Sequence, residues 1–120
     1  MEEVTNLTQE EAIEIAKTFP VQPLKNRLII TVNVDEFDDD IILSSNSFSE
    51  NQYVVATGTF IKDIKAGDSV LLDLEKMMVS EENPDNSYEP ITRIKLRPIE
   101  VNGRMYAMVY DTVVEAIDKR

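Results

Sequence analysis

The side chains in this sequence best suited to chemistry are carboxylates. Asp35, Glu36, Asp38, Asp39 and Asp40 stand almost side by side. Clustered oxygen ligands of this kind bind hard cations such as Ca²⁺ or Mg²⁺. This run, however, lacks the alternating Asp/Asn ligands and the turn glycine of an EF-hand loop. Like charges so close together read more simply as a solvated, self-repelling loop, and no metal site is expected. Ile41, Ile42 and Leu43 follow directly, and Ser44-Ser45-Asn46-Ser47 comes next. Three large apolar residues set in polar sequence have two readings. In a loop they are an exposed anchor for an apolar groove on another protein. In a sheet they are a short strand of the wall. The cations gather elsewhere. Arg93, Lys95 and Arg97 alternate with Ile94 and Leu96. That spacing predicts one strand with a basic face and an apolar face. With Arg104 nearby, the basic face either meets an acidic partner, such as the acidic part of a neighbouring copy, or is solvated.

Composition narrows the chemistry further. The 120 residues contain no histidine, cysteine or tryptophan. The commonest general base is therefore missing, as are thiol nucleophiles, disulfides and zinc–thiolate sites. Paired carboxylates do acid–base work in glycosidases, but nothing in the spacing sets a particular pair in a cleft. Three glycines leave no phosphate-cradling loop, and there is no nucleophile elbow. An enzyme is not expected, and nothing calls for a cofactor. Lys and Arg number 12 against 23 Asp and Glu, a net charge of −11, which opposes binding to nucleic acid. No apolar run approaches the ~20 residues of a membrane span. Met1-Glu2-Glu3 is acidic and precedes no hydrophobic stretch, so a cytoplasmic protein is expected.

The elements that must carry these residues form one short helix and a set of strands. Thr8 and Glu11 make a capping box, and Ala12, Ile13, Ile15, Ala16 and Phe19 recur at helical spacing. Pro20 stops the run, which predicts an amphipathic helix over about 9–18. Such a helix is too short to stand alone in water, so it must dock on its own domain or on a partner. Leu24 to Val34 reads as a strand, and Tyr53 to Thr57 as another, ended by Gly58. Ile64-Lys65-Ala66-Gly67-Asp68 is a turn feeding a strand from Ser69 to Leu74. Residues 75–90 read as charged and turn-forming, with Asn83-Pro84-Asp85-Asn86 the clearest loop. Ile91 to Val101 reads as one strand. Asn102-Gly103 is a type I′ hairpin turn returning into Arg104–Tyr110, and Val113 to Ile117 is the last strand. The sum is a mostly β, small antiparallel barrel over residues 22–120, with residues 1–21 as a helical extension.

Taken in order, these segments resemble the GroES co-chaperonin family. Pro23-Leu24-Lys25-Asn26-Arg27-Leu28-Ile29-Ile30 is similar to its opening strand. Ile41-Ile42-Leu43 resembles its mobile-loop tripeptide, with Asp39-Asp40 where the family usually has Gly-Gly. Tyr53-Val54-Val55-Ala56-Thr57-Gly58, Ile64 to Leu72 and Met105 to Ile117 resemble its later strands. The likeness covers about residues 22–118. Only five residues lie between Gly58 and Ile64, too few for the hairpin that roofs the bacterial dome, and phage-encoded co-chaperonins also depart from the bacterial pattern. The resemblance implies a GroES-like barrel subunit of a homo-oligomeric ring. It would bind a chaperonin ring through Ile41, Ile42 and Leu43 and assist protein folding. A different class is also open: an auxiliary or decoration protein of a bacteriophage capsid built on the same barrel. Its extra helix would clamp a neighbour, and Arg93, Lys95 and Arg97 would meet an acidic shell protein in the virion.

Overall fold

The structure, a computed structural model, describes residues 6–34, 48–81 and 91–120. It begins with helix α1 (Gln9–Lys17), whose start is set by the capping box. The Thr8 hydroxyl accepts from the Glu11 N–H at 3.2 Å, and the Glu11 carboxylate accepts from the Thr8 N–H at 3.1 Å. Together they satisfy two of the helix's orphan donors. These bonds also hold the Glu11 carboxyl below its ordinary pKa, with a smaller contribution from Arg104. Lys17 ends the helix in an ion pair with Glu14, on the favourable side of the helix dipole.

Eight strands follow. They are β1 (Arg27–Thr31), β2 (Asn51–Thr57), β3 (Ser69–Leu72), β4 (Met78–Glu81), β5 (Ile91–Ile94), β6 (Arg97–Val101), β7 (Arg104–Tyr110) and β8 (Val114–Ile117). One helical turn, α2 (Leu74–Met77), precedes β4, and a 3₁₀ turn at Asp111–Val113 precedes β8. The main sheet has six antiparallel strands in the order β6-β7-β1-β2-β3-β8, and β4 and β5 pair separately. The mostly β character and the single N-terminal helix match expectation. The ladder is open: among the described residues its edge strands β6 and β8 do not pair with each other.

Strand β1 explains the layering. Leu28 and Ile30 point into one apolar cluster with Val54, Val70, Leu72, Met77, Ala107 and Phe48. Ile29 points the other way, into a cluster with Leu7, Ala12, Val55, Val101 and Tyr106. All three side chains are fully buried, so β1 is a central strand covered on both faces. The first face is covered by α2, β5 and Leu96, and the second by α1 and Phe19. Phe19 meets Tyr106 edge to face, with ring centroids 5.1 Å apart. Burial pushes the Tyr106 hydroxyl's pKa up.

Three expectations need correction. The strand expected from Leu24 begins at Arg27, because Lys25 adopts a positive φ of 58° and the chain turns there. The Thr59 hydroxyl accepts from the Lys25 N–H at 3.0 Å, and Phe60 N–H donates to the Lys25 carbonyl at 2.9 Å. Gly58 makes this approach possible, since a Cβ there would fall on the Lys25 carbonyl and within 2.7 Å of the Arg27 carbonyl oxygen. Secondly, part of residues 75–90 is regular. Asp73 caps α2 by accepting from the Glu75 N–H at 3.1 Å, and β4 follows. Thirdly, the single strand expected over Ile91 to Val101 is two. The chain breaks at Lys95-Leu96, where Lys95 N–H donates to the Met77 carbonyl at 2.9 Å. β5 then belongs with β4, while β6 pairs with β7. Pro98 is tolerated because β6 is an edge. The Asn102-Gly103 turn is as expected, with φ of 53° and 80° and Val101 paired to Arg104.

Candidate functional site

The Ile41-Ile42-Leu43 tripeptide and the acidic run before it lie outside the described residues. Their two roots are described. Val34 and Phe48 face each other in an isolated antiparallel bridge, so the two ends of segment 35–47 are held side by side. Beneath the bridge sits a fully buried glutamine, Gln52, in the apolar sequence of β2. Its Oε1 accepts from the Thr31 hydroxyl and from the Asn33 N–H, both at 2.8 Å. Its Nε2 donates to the Asn33 carbonyl at 2.9 Å and to the Ser49 carbonyl at 2.8 Å. One side chain therefore ties the strand leaving the sheet to the strand returning.

The stretch before α1 completes the clamp. The Asn33 side chain accepts from the Leu7 N–H at 3.0 Å and donates to the Leu7 carbonyl at 2.9 Å. The Asn6 amide does the same for Val34, donating to its carbonyl at 2.6 Å and accepting from its N–H at 2.9 Å. Each amide thus replaces a missing strand partner. Among the described residues no buried side-chain nitrogen or oxygen is left without a hydrogen bond. A satisfied network of this kind fixes one geometry. Sequence reading missed it, because Gln52 falls in the polar stretch before the strand expected from Tyr53 and its partners lie far away in sequence.

The second candidate region is at the opposite end of β1. The two-stranded β4–β5 unit and α2 leave a cavity of about 310 Å³ against β1 and β7. Met77, Val79, Leu96, Met108, Val109 and Val113 make it apolar, and Arg27, Lys76, Lys95 and Arg97 bring positive charge to it. No acidic residue is among its described lining. The Arg27 guanidinium lies 5.4 Å from the Tyr110 ring centroid and donates to the Tyr110 hydroxyl at 3.3 Å. Lys76 Nζ donates to the Thr112 carbonyl at 3.1 Å.

No family model matches the chain, and no curated protein matches it. The site must therefore be judged on its own geometry. Of the expected basic trio, Lys95 and Arg97 are exposed and reach the same cavity, although they sit on no common strand. Arg93 is in β5 opposite Val79, and its side chain lies outside the described residues. Arg27 and Lys76 were not foreseen. They are far from Arg93 in sequence, and only the pairing of β7 with β1 and the position of α2 bring them in. Among the described residues no group of acidic side chains is placed to hold a metal ion, and no helix is long and apolar enough to cross a membrane.

Proposed function

We propose that this protein is a co-chaperonin-like subunit that binds a chaperonin ring through Ile41, Ile42 and Leu43. The six-stranded sheet would then be the wall of a GroES-like barrel, and several copies would join in a homo-oligomeric ring. One observation carries the proposal. The clamp of Gln52, Asn33 and Asn6 holds the roots of segment 35–47 together, which suits a body built to present the middle of that segment. The tripeptide sits near that middle, flanked by carboxylates and serines. The mechanism follows from weak contacts multiplied. A segment that orders on docking gives up conformational entropy, so each copy binds weakly. A ring presents several copies at once, and the raised effective concentration makes the whole strong yet reversible. The acidic run keeps the apolar hook in water until it docks.

The alternative of a capsid decoration protein drew on the N-terminal helix as a clamp for a neighbour. Helix α1 packs instead on its own sheet, with Ala12 fully buried against Val55 and Ile29. That packing lends the clamping of a neighbour no support, and the lid reading rests on the geometry of the segment's roots. The test is Ile42→Asp, assayed for binding to a purified chaperonin ring with ATP present. Binding should be lost while the circular dichroism of the fold is unchanged. Equal binding by wild type and variant would refute the tripeptide's role.

A further inference from the structure

We propose that the cavity between β7, α2 and the β4–β5 unit is a second binding site, for an acidic peptide segment carrying aliphatic side chains beside its carboxylates. Charge complementarity is the first argument. The chain bears a net charge of −11, yet Arg27, Lys76, Lys95 and Arg97 converge on this one cavity with no acidic residue among its described lining. Concentrating positive charge in an acidic protein repels nothing anionic at that point and gives an anionic partner one favourable landing place. The cations also differ in their commitments. Arg27 is held by Tyr110, and Lys76 by the Thr112 carbonyl. Lys95 and Arg97 are exposed and make no ion pair among the described residues.

Shape supplies the second argument. About 310 Å³ of space floored by Leu96, Val109 and Val113 accepts aliphatic side chains but is too small for a folded domain. The cations among the lining supply partners for carboxylates next to those side chains. Around the break, Leu96 packs inward while Lys95 and Arg97 stay exposed on either side of it. The proposal does not depend on the chaperonin reading.

The experiment uses the full chain and a dye-labelled peptide, Glu-Glu-Glu-Leu-Ile-Leu, followed by fluorescence anisotropy. Lys95→Glu/Arg97→Glu should weaken binding by about tenfold or more. Lys62→Glu/Lys65→Glu changes the net charge equally, at residues that do not line the cavity; it should change binding by less than about twofold. Peptides with Gln for Glu, or with Ser for the aliphatic residues, should each bind at least about tenfold more weakly. Ile42→Asp should bind the labelled peptide as wild type does, which keeps this result distinct from the chaperonin test. Equal weakening by the two double variants would overturn the proposal, as would indifference to the peptide changes. Binding of decanoate at the cavity without binding of the peptide would overturn it in favour of a small amphiphile.

Discussion

The two ends of β1 handle polar groups in opposite ways. At its C-terminal end, Gln52, Asn33 and Thr31 are buried and exchange hydrogen bonds only with one another and with nearby backbone. At its N-terminal end, Arg27 shares a cavity with Lys95 and Arg97, whose charges face water. Buried, satisfied polar groups set geometry and are costly to break. Exposed cations add little to stability and are free to recognise a partner. The first end should therefore answer to mutation in stability, and the second in binding.

Gln52→Leu should break the comparison's first half most forcefully. It strands the Asn33 N–H and the Ser49 carbonyl and leaves the Thr31 hydroxyl proton without its acceptor, while the Asn33 carbonyl keeps the Ser49 N–H; the loss in urea-unfolding free energy should be about 3 kcal/mol. A loss under about 1 kcal/mol would mean that the clamp does not govern the roots of segment 35–47. Gly58→Ala comes next, because its new methyl group meets the Lys25 carbonyl, which is backbone and cannot swing aside. A cost of about 2–3 kcal/mol is expected from such overpacking, read as a lowered urea midpoint. Thr8→Ala removes the cap of α1 and should cost about 1 kcal/mol. Lys95→Glu tests the second half: its unfolding free energy should stay within about 0.5 kcal/mol of wild type.

The smallest effect is expected at the C-terminus. Side-chain and backbone hydrogen bonds from Arg120, helped by the Asn51 amide, hold the Asp118 carboxyl down at about 2, well below its ordinary range. A carboxyl with a lowered folded pKa stabilises the native state above its unfolded pKa. That contribution is present above about pH 4 and fades as pH falls towards 2. Arg120→Ala should raise the Asp118 pKa in an NMR titration and remove this share of the acid dependence.

The antiparallel sheet and α1 were legible because they rest on local rules. The Thr8/Glu11 box and the Asn102-Gly103 turn that returns into β7 each specify structure within a few residues. What was missed depends on distant partners. β4 is a short strand in a charged stretch, and it forms because β5 pairs with it. The break at Lys95-Leu96 leaves no mark in the alternation: Ile94 and Leu96 still face the core, as a continuous strand would place them. Half of the basic cavity was visible as Lys95 and Arg97. Arg27 and Lys76 join it only through tertiary packing. Gln52 left no such signal: it falls in the polar stretch just before the strand expected from Tyr53, and its partners Thr31 and Asn33 lie far away in sequence.

Binding to a chaperonin, as proposed, requires several copies to present their apolar hooks together to another ring. Light scattering after size-exclusion chromatography measures this most directly, run on the protein alone and with a chaperonin plus ATP. A particle of several subunits that moves onto the chaperonin peak is the expected result. A 13.7 kDa monomer that elutes alone in both runs would contradict it.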